Sequence, residues 1–117
     1  MALPYTSSYD KTIGFSDADF QITLETGSVV SITVPGTAGD DRFVATFGVT
    51  STANIFVGYN VSPTIPGANT ATNVARVEFI TPDMQRYVRG GDVLYFATPD
   101  TEDYIGVSLR SISNPRN

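Results

Sequence analysis

Alternation of apolar and polar residues is the dominant pattern along this chain. Phe20, Ile22 and Leu24 are separated by Gln21, Thr23 and Glu25, and Val30, Ile32 and Val34 by Ser31 and Thr33. A period of two puts one set on a buried face and the other in water, so both segments are expected as half-buried strands. Thr26-Gly27 between them carries a hairpin signal. Pro35 to Asp41 reads as a loop. Arg42–Thr50 follows as a strand with Phe43, Ala45, Phe47 and Val49 on one face. In Asn54–Val61, Ile55, Val57, Tyr59 and Val61 alternate with Asn54, Phe56, Gly58 and Asn60. That phase turns Phe56 away from the Ile55/Val57 side.

The second half continues in the same manner. Residues 62–73 form the longest loop, stiffened by Pro63 and Pro66. A connection of about a dozen residues either crosses between two sheets or has a contact role. Apolar segments then fall at Val74–Ile80, Arg86–Val88, Val93–Ala97 and Tyr104–Ile112. Gly90-Gly91-Asp92 reads as a tight hairpin turn between two of them, because glycine tolerates φ > 0. Ile105, Val107 and Leu109 alternate with Gly106, Ser108 and Arg110, and Ile112 breaks the phase, as a bulge or a strand end would. A further short strand is expected at Asp10–Phe15.

No window has helical periodicity with caps. Eight or nine short strands at roughly ten-residue spacing predict an all-β fold, an antiparallel β-sandwich or jelly roll with Greek-key-like connections. The expected organisation is an extended N-terminal arm over residues 1–9, one β-sandwich domain over 10–113 and a polar tail over 114–117. No internal repeat is visible. At 117 residues, one domain can bury roughly two-thirds of its unfolded surface and needs neither disulfides nor metals.

Charge and chemistry narrow the functions open to such a domain. The net charge is −5, which disfavours nucleic-acid phosphates and anionic lipid heads as partners. Arg86 and Arg89 fit a solvated edge strand. The first residues lack a basic n-region and an apolar h-region, and no run is long enough to span a membrane, so neither a signal peptide nor a membrane association is expected. The initiator methionine fits a complete natural chain. Charged residues make up 16% of the chain, below the ~25% of ordinary domains, as suits a surface that lies against other subunits.

The chain contains no histidine and no cysteine. Ser-His and Cys-His nucleophile systems and the usual zinc sites are therefore excluded. There is no phosphate-binding glycine loop. The remaining catalytic option is a carboxylate pair from Asp17/Asp19, Asp40/Asp41 or Asp100/Glu102/Asp103. These acids sit in turns, where Asp bonds nearby backbone N–H groups, and that structural reading is preferred over catalysis or calcium binding. Glu78 is expected to pair with Arg76 on its own strand face. We expect no enzyme activity, no catalytic residue, no cofactor and no metal. Glycan binding through exposed tyrosines is the generic alternative. Tyr59, Tyr87 and Tyr95, however, sit where cross-strand packing would use them.

One stretch is familiar as a whole. Ser51 to Asn60 (Ser-Thr-Ala-Asn-Ile-Phe-Val-Gly-Tyr-Asn) is followed by a Pro/Thr/Ala loop. Then come Arg76 to Thr98, with its Pro-Asp-Met-Gln-Arg-Tyr turn and Gly-Gly-Asp turn, and the closing Tyr104 to Leu109. This order resembles small virion structural proteins of tailed bacteriophages, above all the capsid decoration (cement) type. The resemblance implies a protein of the capsid surface that stabilises the head by binding the major capsid protein and itself, as a dimer or trimer. A head-fibre or tail-associated role is the alternative within the same class. It implies contact through apolar residues outside the core, for which Leu3, Tyr5, Tyr9, Phe56, Ile65 and Tyr104 are the candidates. Met1–Tyr9 and Ser62–Asn73 are the expected contact segments.

Overall fold

A computed structural model describes residues 15–112. Eight strands carry the described chain: β1 (Ala18–Glu25), β2 (Val29–Thr33), β3 (Arg42–Gly48), β4 (Phe56–Tyr59), β5 (Val77–Phe79), β6 (Met84–Arg89), β7 (Val93–Ala97) and β8 (Glu102–Ser111). They form two four-stranded antiparallel sheets, which we name A (order β1-β8-β3-β6) and B (order β2-β7-β4-β5). The pairing is nested. β1 pairs with β8, β2 with β7, β3 with β6 and β4 with β5. A single long hairpin folded at its middle and wrapped into two sheets gives this order, which is the eight-stranded jelly roll built from two Greek keys.

The alternation expected from the sequence is observed strand by strand. Ile22 and Leu24 of β1, Phe43, Ala45 and Phe47 of β3, Val88 of β6 and Ile105, Val107 and Leu109 of β8 are buried on the inner face of sheet A. Ile32, Val34, Val57, Leu94 and Phe96 meet them from sheet B. Phe47 and Phe96 join the two layers edge to face, with ring centroids 6.1 Å apart. Each fully buried side chain of this size contributes roughly 1.5–3 kcal/mol. The core thus stands on the interdigitation of two apolar faces.

Nested pairing corrects two expectations. Thr26-Gly27 and Gly90-Gly91-Asp92 are tight turns, and Gly91 takes φ of 89° as foreseen. Neither closes a hairpin. β1 and β2 lie in different sheets, and so do β6 and β7. These turns are corners at which the chain leaves one layer for the other. The reverse holds for the long connection: it joins β4 to β5, neighbours within sheet B, and crosses nothing. Ile112 marks a strand end rather than a bulge. The β3–β8 register runs without a skip from Gly48↔Gly106 to Phe43↔Ser111, and the Ile112 N–H bonds the Arg42 carbonyl at 3.0 Å. Of the ninth candidate strand, residues 10–14 lie outside the described part of the chain, and Phe15 is fully exposed in no strand.

Candidate interaction face

The two outer faces of the sandwich differ in chemistry. Outward positions of sheet A carry Asp19, Gln21 and Glu25 on β1, Glu102, Ser108 and Arg110 on β8, and Gln85 and Arg89 on β6. They bond one another: the Gln21 amide donates to Asp19 at 2.6 Å, the Ser108 hydroxyl to Asp19 at 3.2 Å, and the Gln85 amide to the Thr46 hydroxyl at 3.3 Å. This is a wet, charged surface.

Sheet B presents no charged strand residue outward. Its register stacks three rows across the strands. The first row is Val29–Ala97–Phe56–Phe79, the second Ser31–Tyr95–Gly58–Val77, and the third begins Thr33–Val93. The first row is apolar from edge to edge. Val29 is 49% exposed at one end and Phe79 47% at the other. Between them, Phe56 is half-buried and packs edge to face on Phe79, centroids 5.2 Å apart. Aromatic pairs of this kind add about 0.5–1.5 kcal/mol beyond area burial and hold both rings in fixed orientation.

The connection between β4 and β5 borders this face and is anchored to it. Gly58 explains how. A Cβ on Gly58 would lie 1.8 Å from the Val61 carbonyl oxygen and 3.3 Å from Pro63 Cδ, so only glycine lets the chain fold back over the strand here. Pro63 is buried, and Val61 and Ile65 are half-buried. Further along, Thr64, Pro66, Thr72, Val74 and Val77 enclose a small cavity of about 90 Å³ against Phe56 and Phe79. The loop is thus part of the same face.

The base of that loop is fixed by a polar knot. Asn60, at φ of 59°, exchanges bonds with Val93: its N–H donates to the Val93 carbonyl at 2.7 Å and its Oδ1 accepts the Val93 N–H at 2.7 Å. The Tyr59 hydroxyl donates to Asp92 at 2.8 Å, and the Arg89 N–H donates to the same carboxylate at 2.8 Å. The Asp92 bond, with burial, raises the Tyr59 pKa. Burial pushes the Asp92 carboxyl up, but the donors from Arg89, Tyr59 and Asn60 outweigh it, and its pKa is lowered.

Of the acidic residues singled out in the sequence, Asp17, Asp19, Asp41, Asp100, Glu102 and Asp103 act as backbone or side-chain acceptors. Asp17 accepts the Ser111 N–H at 2.7 Å and Asp41 the Thr37 N–H at 2.7 Å. Asp100 accepts the Asn54 amide at 3.1 and 3.2 Å, and the Asn54 N–H lies 3.2 Å from Asp100 and 3.3 Å from Asp103. The Thr98 hydroxyl, nearly fully buried, lies 2.6 Å from both the Asn54 carbonyl and Asp103. Hydrogen bonds from Asp103 and then from Asn54 lower the Asp100 pKa. No cluster of three metal-ligating side chains occurs among the described residues. Glu78 does not pair with Arg76. Val57 opposite it faces inward, so Glu78 also points between the sheets, where it meets Arg86 Nε at 2.7 Å. Arg86 points inward opposite Ala45 on the edge strand of sheet A. Arg76 instead lies over the Tyr59 ring, 5.9 Å from its centroid.

Of the candidate contact residues, the structure brings Phe56 into the apolar row, with Ile65 on the adjoining loop. Tyr104 stands apart on sheet A, 65% exposed, its hydroxyl donating to Glu102, which raises its pKa. Leu3, Tyr5 and Tyr9 lie outside the described residues. Val29 and Phe79 escaped notice in the sequence. Each is a terminal residue of a short strand, and only the register aligns them with Phe56. No protein family, curated protein or solved structure matches this chain.

Proposed function

We propose that this protein is a structural component of a phage virion, a decoration protein that seats the uncharged outer face of sheet B on major capsid protein subunits. The observation that carries this reading is the one-sidedness of the sandwich. One face is apolar along the Val29–Ala97–Phe56–Phe79 row, and the other is charged and internally hydrogen-bonded. A protein lying flat on a large assembly needs one face to dock and one to stay in water. The jelly roll supports the reading by analogy, since viral capsid and lectin domains use it. Residues 1–9 supply a further contact segment, and copies associate around a symmetry axis of the particle.

The test is capsid attachment. Phe79→Ser and Val29→Ser change half-exposed positions and leave the core intact. They should abolish co-sedimentation with capsids, while Gln85→Ser on sheet A should not. Retained attachment with both sheet B changes, or absence of the chain from a mass-spectrometric inventory of intact virions, would sink the proposal.

The glycan-binding alternative gains nothing from the two most exposed tyrosines. Tyr87 and Tyr104 are the most exposed of those described, at 78% and 65%. They stand on β6 and β8 with β3 between them and six positions of register apart, about 20 Å along the strands. They share no stacking platform.

A further inference from the structure

The sandwich is open between its edge strands β5 and β6. A cleft of about 250 Å³ enters there, floored by the core residues Phe47 and Val88 of sheet A and Val57 and Leu94 of sheet B. Tyr59, Arg76, Glu78, Arg86 and Tyr87 form its rim. A depression of about 400 Å³ continues it past Tyr59 and Tyr87 to Arg42 and Arg89. An apolar cavity of about 150 Å³ already suffices to take a benzene ring. The floor offers water no hydrogen-bonding side chain, so an apolar group of that size or somewhat larger would gain by replacing it.

The rim adds a charge preference. Four of the six arginines of this acidic chain gather along the opening. Glu78 occupies Arg86, and the Asp92 charge faces Arg89. Among the described residues, Arg42 and Arg76 meet no carboxylate. Arg76 is also held at φ of 70°, a conformation that a side-chain-bearing residue adopts at a cost, and this aims its guanidinium over Tyr59 at the mouth. We propose that this cleft binds a small amphipathic carboxylate, its acyl or aryl end between the sheets and its carboxylate on Arg76. The site is separate from the sheet B face and does not depend on the virion reading.

The probe is hexanoate, followed by amide chemical shifts of the full chain, with hexanol and acetate as controls. Hexanoate should move the amides of Val57, Val88 and Leu94. Acetate lacks the chain and hexanol the charge, so each should bind at least about fivefold more weakly. Arg76→Asn removes the cation but suits φ > 0, and should weaken hexanoate by a similar factor with an unchanged unfolding midpoint. Absence of shifts at these amides up to tens of millimolar hexanoate would overturn the site. Equal binding of hexanol, or full binding by Arg76→Asn, would overturn the carboxylate assignment.

Discussion

Gly58→Ala tests whether the 60–76 connection is truly fastened to sheet B. The new methyl would start 1.8 Å from the Val61 carbonyl oxygen, and real contacts do not fall below 3.0 Å, so a shift of about 1.2 Å is required. Two routes are open. Strand β4 lies between β7 and β5 and is held by hydrogen bonds on both sides, so bending it is expensive. Lifting the loop forfeits the burial of Pro63 and the half-burial of Val61 and Ile65. That loss sets a ceiling of roughly 3 kcal/mol, within the 1–3 kcal/mol typical of overpacking. The expected destabilisation is about 2 kcal/mol, a fall in Tm of roughly 10 °C for a domain of this size. Thermal and urea unfolding measure it, and amide spectra should place the changes on β4, β5 and the loop. Gly48→Ala is the control. Its Cβ would sit 3.7 Å from the nearest atom, and the change should be neutral or stabilise by about 0.5 kcal/mol. Equal Tm values for the two variants would refute the docking geometry.

Three further outcomes follow from other parts of the structure. Tyr59→Phe removes the bond to Asp92 and should cost about 1 kcal/mol. The Asp92 pKa, read by carboxyl NMR titration, should climb back toward the ordinary range. Asn54→Ala should flatten the acid limb of stability. A lowered Asp100 pKa stabilises the fold above the unfolded carboxylate value and ceases to do so as pH falls through the folded one, so the Tm gap between wild type and variant should narrow on acidification. Replacing the Glu78–Arg86 pair by Val and Leu should leave the monomer as stable or more so, since a half-exposed pair contributes only about 0.2–1 kcal/mol. Light scattering should then detect concentration-dependent association, because inward charges on β5 and β6 guard those edges against strand addition.

Alternation revealed which residues face inward, and this held at Ile22, Leu24, Phe43, Phe47, Val107 and Leu109. It also turned Phe56 outward correctly. Partnership between strands was beyond it. A tight turn at Thr26-Gly27 has the same local chemistry whether the chain folds back beside itself or steps to the opposite layer, so the hairpin reading was natural and wrong. The same limit hid the apolar row of sheet B, because Val29, Phe56 and Phe79 become neighbours only through β7 and β5. It misassigned Glu78 too. Arg76 is close in sequence, but the side chain that Glu78 reaches lies on the other sheet, and no spacing rule encodes that distance.

The nested order of the strands carries a kinetic consequence. Only β4 and β5 pair across a short stretch of chain. Along the series β3–β6, β2–β7 and β1–β8, each pair encloses those before it, until Ala18 meets Leu109. Loop closure between distant segments is entropically costly until the intervening chain has already been shortened by structure. Assembly is therefore expected to zip outward from the 60–76 bend and to finish at β1–β8, on a timescale of roughly milliseconds to seconds. A lesion at the bend would delay every later step, whereas one near Ala18 would mainly hasten unfolding.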